Sequence, residues 1–263
     1  AATLLMAVVY LFTATNPVRR TLDVPRLSRL ADVDGVETEV AIAPDGNRYA
    51  VIASGELWVL NVSTGERRQV THTPEPESFP AWSPDGKRVT FTRGPDTFAL
   101  NPNSNSVELF RANATSLSWS PTSRTTFVRD RALWIANPNG LSEKQLVEAD
   151  PNPQIVFRTP RFSPDSLQIA FIKTQLNIKG EVWTVDVLNG MPRNLVSDRA
   201  AEDPADVGWI VEGHQLVYLT NRAGAYSLWR IDFAESTILP VTQPLVSVPL
   251  ARIGMGVWKD RIV

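Results

Sequence analysis

The stretch Trp82-Ser83-Pro84-Asp85-Gly86-Lys87-Arg88-Val89-Thr90-Phe91 decides the fold of this 263-residue chain. Proline fixes φ, aspartate accepts hydrogen bonds from the backbone that follows it, and glycine adopts positive φ, so Pro-Asp-Gly reverses the chain tightly. The residues after the turn are rich in β-branched and aromatic types, which favours a strand. The stretch therefore predicts one strand ending at Trp82, a tight turn and a second strand.

The same phrase recurs along the chain at intervals of about 40 residues. Its turn residues are Pro44, Asp45 and Gly46 in the first copy, Pro84, Asp85 and Gly86 in the second, and Pro164 and Asp165 in the fourth. The third copy, 119–123, carries Thr-Ser in place of Asp-Gly, and the fifth, 209–213, keeps an acid-Gly turn without the proline. We predict that each aspartate accepts hydrogen bonds within its own turn rather than joining a ring of carboxylates.

Tryptophans occupy two fixed positions in this repeat. One set ends the first strand and comprises Trp82, Trp119 and Trp209. The other set follows later in each copy and comprises Trp58, Trp134, Trp183 and Trp229, with Phe98 in the second copy. Because a residue repeated in successive copies is more typical of packing than of a ligand site, we predict that both sets pack between repeats rather than bind a sugar or a quinone.

Each copy accounts for one small antiparallel sheet. The tryptophan-bearing run is the third strand, and a polar turn, such as 63–65 or 189–190, leads to a fourth. A four-stranded sheet has two faces to cover, and stacking such sheets around an axis covers both. We therefore predict an all-β fold: a β-propeller of four-stranded antiparallel blades over 31–263, with five clear blades and a partial sixth beginning near Arg252.

Two interpretations of the partial sixth copy remain open. In the first, which we favour because both ends look cut, the chain is truncated and its sheets form an open or partly closed arrangement. In the second, residues around 25–35 complete the last blade by strand exchange.

The segment 1–30 is predicted to lie outside the propeller as an apolar stretch and a linker. Residues 1–14 carry no charge, and Arg19 and Arg20 follow them. This composition fits the core of a signal peptide, the end of a membrane anchor or a buried first strand.

Composition and missing motifs argue against several classes of function. The formal net charge is −2, whereas nucleic-acid binding normally needs a surplus of cations. The sequence has no cysteine and only two histidines, His72 and His214, in unlike contexts. It has no G-x-S-x-G nucleophile turn and no glycine-rich phosphate loop, and 32–35 lacks the spacing of a calcium loop. We predict no catalytic residue, no metal, no cofactor and no nucleic-acid partner.

The stretch 82–91 resembles the repeat of TolB-type β-propellers, also found in tricorn protease and in the propellers of prolyl-oligopeptidase-type enzymes. Residues 216–224 are similar to the second strand and following loop of those repeats, and the resemblance covers about 36–263. It implies a non-catalytic scaffold for protein–protein interaction at the cell envelope, either periplasmic or tethered to a membrane through 1–14. The alternatives are the gating propeller of a serine peptidase whose catalytic domain is absent, or the sensor domain of a membrane-anchored regulator.

A partner is expected to bind either the loops, because a rigid frame displays them, or the central channel. The candidates are His72, where the chain crosses to the next blade, and Arg93, Arg129 and Arg222, which follow second strands. Irregular insertions at 174–180 and 200–206 are further places for recognition.

Overall fold

A computed structural model confirms that the chain folds as an all-β propeller. The structure describes residues 26–27, 37–137, 140, 142–175, 179–196, 204–210, 215–222, 225–233, 237–240, 257–258 and 261–262. These residues form strands, turns and irregular connections, and none of them lies in a helix that could cross a membrane. The apolar segment 1–14 and His214 lie outside the described residues.

Five four-stranded antiparallel sheets confirm the five predicted blades, each built from four consecutive strands. After β1 (Arg26–Leu27), blade 1 contains β2 (Glu37–Ile42), β3 (Arg48–Ala53), β4 (Glu56–Asn61) and β5 (Arg67–Gln69). Blade 2 contains β6 (Glu77–Trp82), β7 (Val89–Arg93), β8 (Asp96–Leu100) and β9 (Val107–Arg111). Blade 3 contains β10 (Thr115–Trp119), β11 (Thr125–Arg129), β12 (Ala132–Ala136) and β13 (Glu143–Val147).

The strands of the last two blades are longer. Blade 4 contains β14 (Ile155–Phe162), β15 (Gln168–Gln175), β16 (Lys179–Asp186) and β17 (Pro192–Val196). Blade 5 contains β18 (Pro204–Ile210), β19 (Gln215–Arg222), β20 (Ala225–Asp232) and β21 (Thr237–Pro240). The hairpin predicted to be lengthened at 174–180 is the paired end of β15 and β16, where Gln175 faces Lys179.

The first strand of each blade contacts the first strand of the next, so these five strands surround a common axis. Each of them also has an irregular register with the second strand of its own blade. In three blades, the residue three positions before the end of the strand has positive φ: Phe79 at 53°, Ser116 at 54° and Thr159 at 46°. A bulge therefore bends the axial strand at the same place in successive blades.

The hydrophobic core is a series of clusters between neighbouring blades. Ile52 and Leu57 of blade 1 pack with Trp82 and Phe91 of blade 2 in one such cluster. The third-strand tryptophans pack against the clusters at half-buried positions: Trp134 between blades 2 and 3, Trp183 between 3 and 4, Trp229 between 4 and 5, and Trp58 on blade 1. Their cross-strand partners on the second strands are Phe127, Phe171, Tyr218 and Val51, respectively.

A further sheet of three short strands joins the two ends of the described chain. It consists of β1, β22 (Val257–Trp258) and β23 (Arg261–Ile262), with β1 parallel to β23. The strand β22 contacts the first strands of blade 5 and of blade 1. The described strands do not show the predicted partial sixth blade as such. Instead, the early strand β1 pairs with the last strand β23, as the strand-exchange interpretation requires.

Candidate functional site

The Pro-Asp-Gly turns place their aspartates in local hydrogen bonds. The carboxylate of Asp85 accepts bonds from the Ser83 hydroxyl (2.6 Å) and the Lys87 amide (3.0 Å). Asp165 accepts the equivalent bonds from Ser163 (2.5 Å) and Leu167 (2.9 Å). These contacts keep each carboxylate in its own turn, so the aspartates do not form a shared charged site.

Hydrogen bonds within the turns also lower the pKa values of two turn aspartates, Asp85 and Asp45. The bond from the Ser83 hydroxyl, followed by that from the Lys87 amide, lowers the pKa of Asp85. Burial alone would raise the pKa of Asp45, but hydrogen bonds from Asn47 and the Arg48 guanidinium outweigh it and lower the pKa. Both groups are therefore stabilised in the ionised form.

Two arginines tie the turns of neighbouring blades together. The guanidinium of Arg48 donates to the carbonyl of Gly86 (3.1 Å) and lies 4.7 Å from the ring centre of Trp82. Arg124 of blade 3 donates in the same way to the carbonyl of Ser166 in blade 4 (2.8 Å). These bonds hold adjacent turns at fixed positions around the axis.

The turns converge on an open cavity of about 490 Å³ at one end of the axis, which we call the channel mouth. Its lining comes from the ends of first strands and from the turn prolines of four blades. The lining residues are Ile42, Pro44, Trp82, Pro84, Trp119, Ser120, Pro121, Arg161, Phe162, Pro164, Val207, Gly208 and Trp209. Most of the lining residues are apolar, polar atoms are also exposed in the lining, and Arg161 is its charged member.

Indole hydrogen bonds fix the tryptophans of the channel mouth against the preceding blade. Trp82 donates to the carbonyl of Ala41 (3.2 Å), and Trp209 donates to the carbonyl of Arg161 (3.0 Å). Trp119 donates to the hydroxyl of Thr90 (3.0 Å). Trp82 and Trp209 expose 7% and 8% of their surfaces, so the mouth is lined by rigid rings rather than by mobile side chains.

The charge at the channel mouth has a buried partner. Arg161 lies 3.7 Å from the carboxylate of Asp206, whose side chain is 4% exposed, while the arginine side chain is 23% exposed. The partner holds the cation in place, and the exposed fraction leaves part of it facing the cavity. Such a site can receive an apolar or aromatic group next to a carboxylate.

Arg93 is held inside its blade by a buried carboxylate. Its guanidinium donates to Glu77 Oε1 (2.6 Å) and lies 4.9 Å from the ring of Phe98. Glu77 also accepts bonds from the Leu57 amide (2.9 Å) and the Thr71 hydroxyl (2.5 Å) of blade 1. This arrangement joins blades 1 and 2 through a carboxylate whose side chain is fully buried.

Arg129 has a similar environment in blade 3. Its guanidinium lies 4.9 Å from the ring of Phe127 and 5.7 Å from that of Trp134, and it contacts Glu143 Oε2 at 2.5 Å. Arg111 of blade 2 donates to the other oxygen of Glu143. Burial, and more weakly the charge of Arg129, lowers the pKa of Arg111, whereas Glu143 opposes the shift.

The predicted partner contacts do not meet at the channel mouth. Arg93 and Arg129 end second strands, and exposed His72 follows a fourth strand, so all three lie on the opposite face from the turns. The Nδ1 atom of His72 accepts a hydrogen bond from the side-chain amide of Gln69 (2.9 Å). Arg222 ends β19 opposite Ala225, and its side chain is outside the described residues.

Sequence reasoning named the central channel as a possible binding place but assigned no residues to it. The tryptophans and prolines that line its mouth were interpreted as packing and turn residues, Arg161 carries no motif, and Asp206 was included only as the end of the insertion 200–206. The signal was present in the repetition itself, because equivalent positions in successive blades face the same axis. No group of three or more metal-ligating side chains occurs among the described residues, and 32–35 lies outside them.

The ring of antiparallel sheets around an axial cavity defines a protein of the β-propeller class. More specifically, the fold is that of a TolB-like propeller. TolB from Acinetobacter baumannii superposes with a TM-score of 0.65 at 19% identity, over 80% of this chain and 55% of that protein. An oligogalacturonate lyase in complex with manganese superposes with a TM-score of 0.59 at 13% identity, over 83% of this chain and 68% of that one.

Sequence comparison gives one short match. Dipeptidyl-peptidase 5 of Porphyromonas gingivalis is 39% identical over 64 residues, which are 20% of this chain and 9% of the peptidase. No family model matches the chain. The chain thus spans about half the length of the Acinetobacter protein and less than a tenth of the peptidase, and the likeness to solved structures establishes the fold alone.

Proposed function

We propose that this protein is a non-catalytic scaffold that binds a protein partner at the channel mouth. The observation that supports it is the cavity lined by prolines and tryptophans, with the partly exposed Arg161 at its wall. Rigid aromatic and arginine side chains supply most binding energy in protein interfaces because they bury large surfaces at a small entropic cost.

The chemistry of the mouth suggests what the partner presents. An apolar or aromatic side chain fills the cavity between Trp119 and Phe162, and a neighbouring carboxylate pairs with Arg161. Because Asp206 already neutralises part of that arginine, a single acidic group is a better match than an acidic cluster. The partner segment is therefore a short, mainly apolar stretch with one carboxylate.

We also propose an extracytoplasmic location, periplasmic or attached to a membrane through residues 1–14. The apolar composition of that segment and the TolB-like fold support this proposal. His72, Arg93, Arg129 and Arg222 form a second set of proposed partner contacts on the opposite face. The three-stranded sheet of β1, β22 and β23 is proposed to take the place of a sixth blade, since β22 contacts the first strands on both sides.

A gating or sensory role receives less support. The match to a peptidase covers 9% of that protein, and the described residues contain no group that distinguishes a gate or a sensor. The lyase neighbour shows that this fold also occurs in an enzyme, so the proposal depends on the channel mouth and not on the fold.

Photo-cross-linking tests the proposal. The full chain carries p-benzoylphenylalanine in place of Trp119, which is half-buried at the mouth, and is irradiated in an envelope extract. We expect one discrete cross-linked protein that Arg161→Gln reduces by about tenfold, because the charge-assisted bond is lost. The same probe in place of exposed Glu148, on the other face, is the matched control. Equal cross-linking at both positions, or none at Trp119, would contradict the proposal.

A further inference from the structure

Blade 4 carries an exposed apolar patch on the same face as the channel mouth. Leu167 lies in its first turn, and Leu188 and Met191 lie in the turn between its third and fourth strands. They are 51%, 77% and 71% exposed. A hydrogen bond from the Val187 amide to the Leu167 carbonyl (2.9 Å) joins the two turns, so the three side chains belong to one surface, the blade 4 patch.

The sister blades show that this patch is not a requirement of the repeat. In blade 1 the equivalent bond joins Val62 to Asn47, which identifies the counterparts of the patch. These counterparts are Asn47, Ser63 and Glu66 in blade 1, and Lys87, Asn103 and Ser106 in blade 2. These three positions are therefore polar in blades 1 and 2, although Val62 of the blade 1 turn is 56% exposed, and three exposed apolar side chains together occur in blade 4.

The direction of β1 bears on which face its amino end points to. β1 runs parallel to β23, with Arg26 opposite Arg261, and Arg261 in turn pairs with Trp258 at the start of the β22–β23 hairpin. In all five blades the first strand ends on the face of the channel mouth, and β22, which contacts the first strands of blades 5 and 1, is taken to run the same way. The amino end of β1 then points toward that face, and 11 residues separate it from the apolar residues 1–14.

We infer that the blade 4 patch, which shares its face with the channel mouth, inserts among the headgroups of a lipid bilayer and leaves the mouth itself to the proposed protein partner. The linker 15–25 reaches at most about 40 Å, so a membrane-bound segment 1–14 keeps this face near the bilayer. Protruding Leu and Met side chains partition into the interface, and the exposed charges beside the patch, Asp165 and Arg193, offset each other. The inference rests on the membrane attachment proposed above and adds the orientation of the propeller.

The absence of cysteine gives a clean experiment. The full chain with Leu188→Cys, labelled with an environment-sensitive dye, is added to vesicles of phosphatidylethanolamine and phosphatidylglycerol in equal parts, with and without brominated acyl chains. Glu148→Cys, exposed on the opposite face, is the control. We expect the brominated chains to quench the dye at Leu188→Cys about threefold more strongly than the dye at Glu148→Cys, because only the dye in the patch reaches the acyl chains.

Substitution by the blade 1 residues tests the patch itself. With the dye at Leu167→Cys, the double change Leu188→Ser and Met191→Glu should abolish most of the quenching while the chain still floats with the vesicles. Flotation reports the attachment, so a chain that does not float overturns the attachment and the inference together. A chain that floats with equal quenching at Leu188→Cys and Glu148→Cys overturns the inference alone.

Discussion

Replacing Glu77 by alanine should be among the most destabilising single changes in blades 1 and 2. The side chain is fully buried and accepts bonds from the Leu57 amide, the Thr71 hydroxyl and the Arg93 guanidinium. Truncation leaves the guanidinium, itself 17% exposed, without its carboxylate, and it removes an acceptor from the other two donors. Removing one member of a buried ion pair typically costs about 3–5 kcal/mol, and we expect Glu77→Ala to fall in that range.

Urea denaturation followed by tryptophan fluorescence measures this loss, and the eight tryptophans provide the signal. Glu77→Gln keeps an acceptor for Leu57 and Thr71 but loses the charge, so it should cost about 2 kcal/mol. In a double-mutant cycle with Arg93→Ala, the coupling energy should exceed about 1 kcal/mol. Exposed Glu148→Ala is the control and should change the free energy of unfolding by less than about 0.5 kcal/mol. If Glu77→Ala costs no more than this control, the argument for a carboxylate that joins the two blades is wrong.

Three further predictions concern other parts of the fold. Trp82→Phe should lower the free energy of unfolding by about 1 kcal/mol, because the hydrogen bond to the Ala41 carbonyl is lost. Trp82→Ala should lower it by about 3–5 kcal/mol, because a cavity is left as well. Urea denaturation measures both losses, and equal losses would show that packing contributes nothing beyond the indole bond. Thr159→Gly should raise the free energy of unfolding by about 0.5–1 kcal/mol. The reason is that a β-branched residue at φ 46° is strained and its buried hydroxyl has no hydrogen-bond partner. A loss in thermal stability would contradict that reasoning. The lowered pKa of Asp85 means that its ionised form favours the folded state, so its contribution is present above the ordinary pKa of 3.8 and is lost as the pH falls through the folded-state pKa. The stability difference between the wild type and Asp85→Asn should therefore shrink below about pH 4, and a carboxyl chemical-shift titration by NMR with an ordinary midpoint would refute it.

The local parts of the fold were predictable because their causes lie within a few residues of one another. The turn at Pro84, Asp85 and Gly86 follows from fixed φ, a side-chain acceptor and positive φ, so the ends of the first and second strands could be assigned directly. The third-strand tryptophans could be aligned because each sits at a similar distance from its turn. A repeat of this length then predicts the blade, since a small sheet must cover both of its faces.

The roles of individual cations could not be predicted in the same way. Arg93 and Arg129 were chosen as partner contacts because they follow second strands, yet each guanidinium lies over aromatic rings and meets a carboxylate in the structure. Glu77 is 16 residues before Arg93, and Glu143 is 14 residues after Arg129. Nothing in the local sequence indicates such pairs, because they depend on how strands are placed side by side.

What the amino-acid sequence determined by itself is the repeating unit: a turn chemistry, a pattern of strands and a tryptophan in register, all set by short-range preferences. Only the tertiary structure decided that the ends of five first strands meet in one cavity, that Arg161 stands beside Asp206, and that β1 pairs with β23. The physical reason is distance along the chain. Contacts between adjacent blades join residues about 40 positions apart, and the pairing of β1 with β23 joins residues 235 positions apart, so no local sequence pattern indicates them.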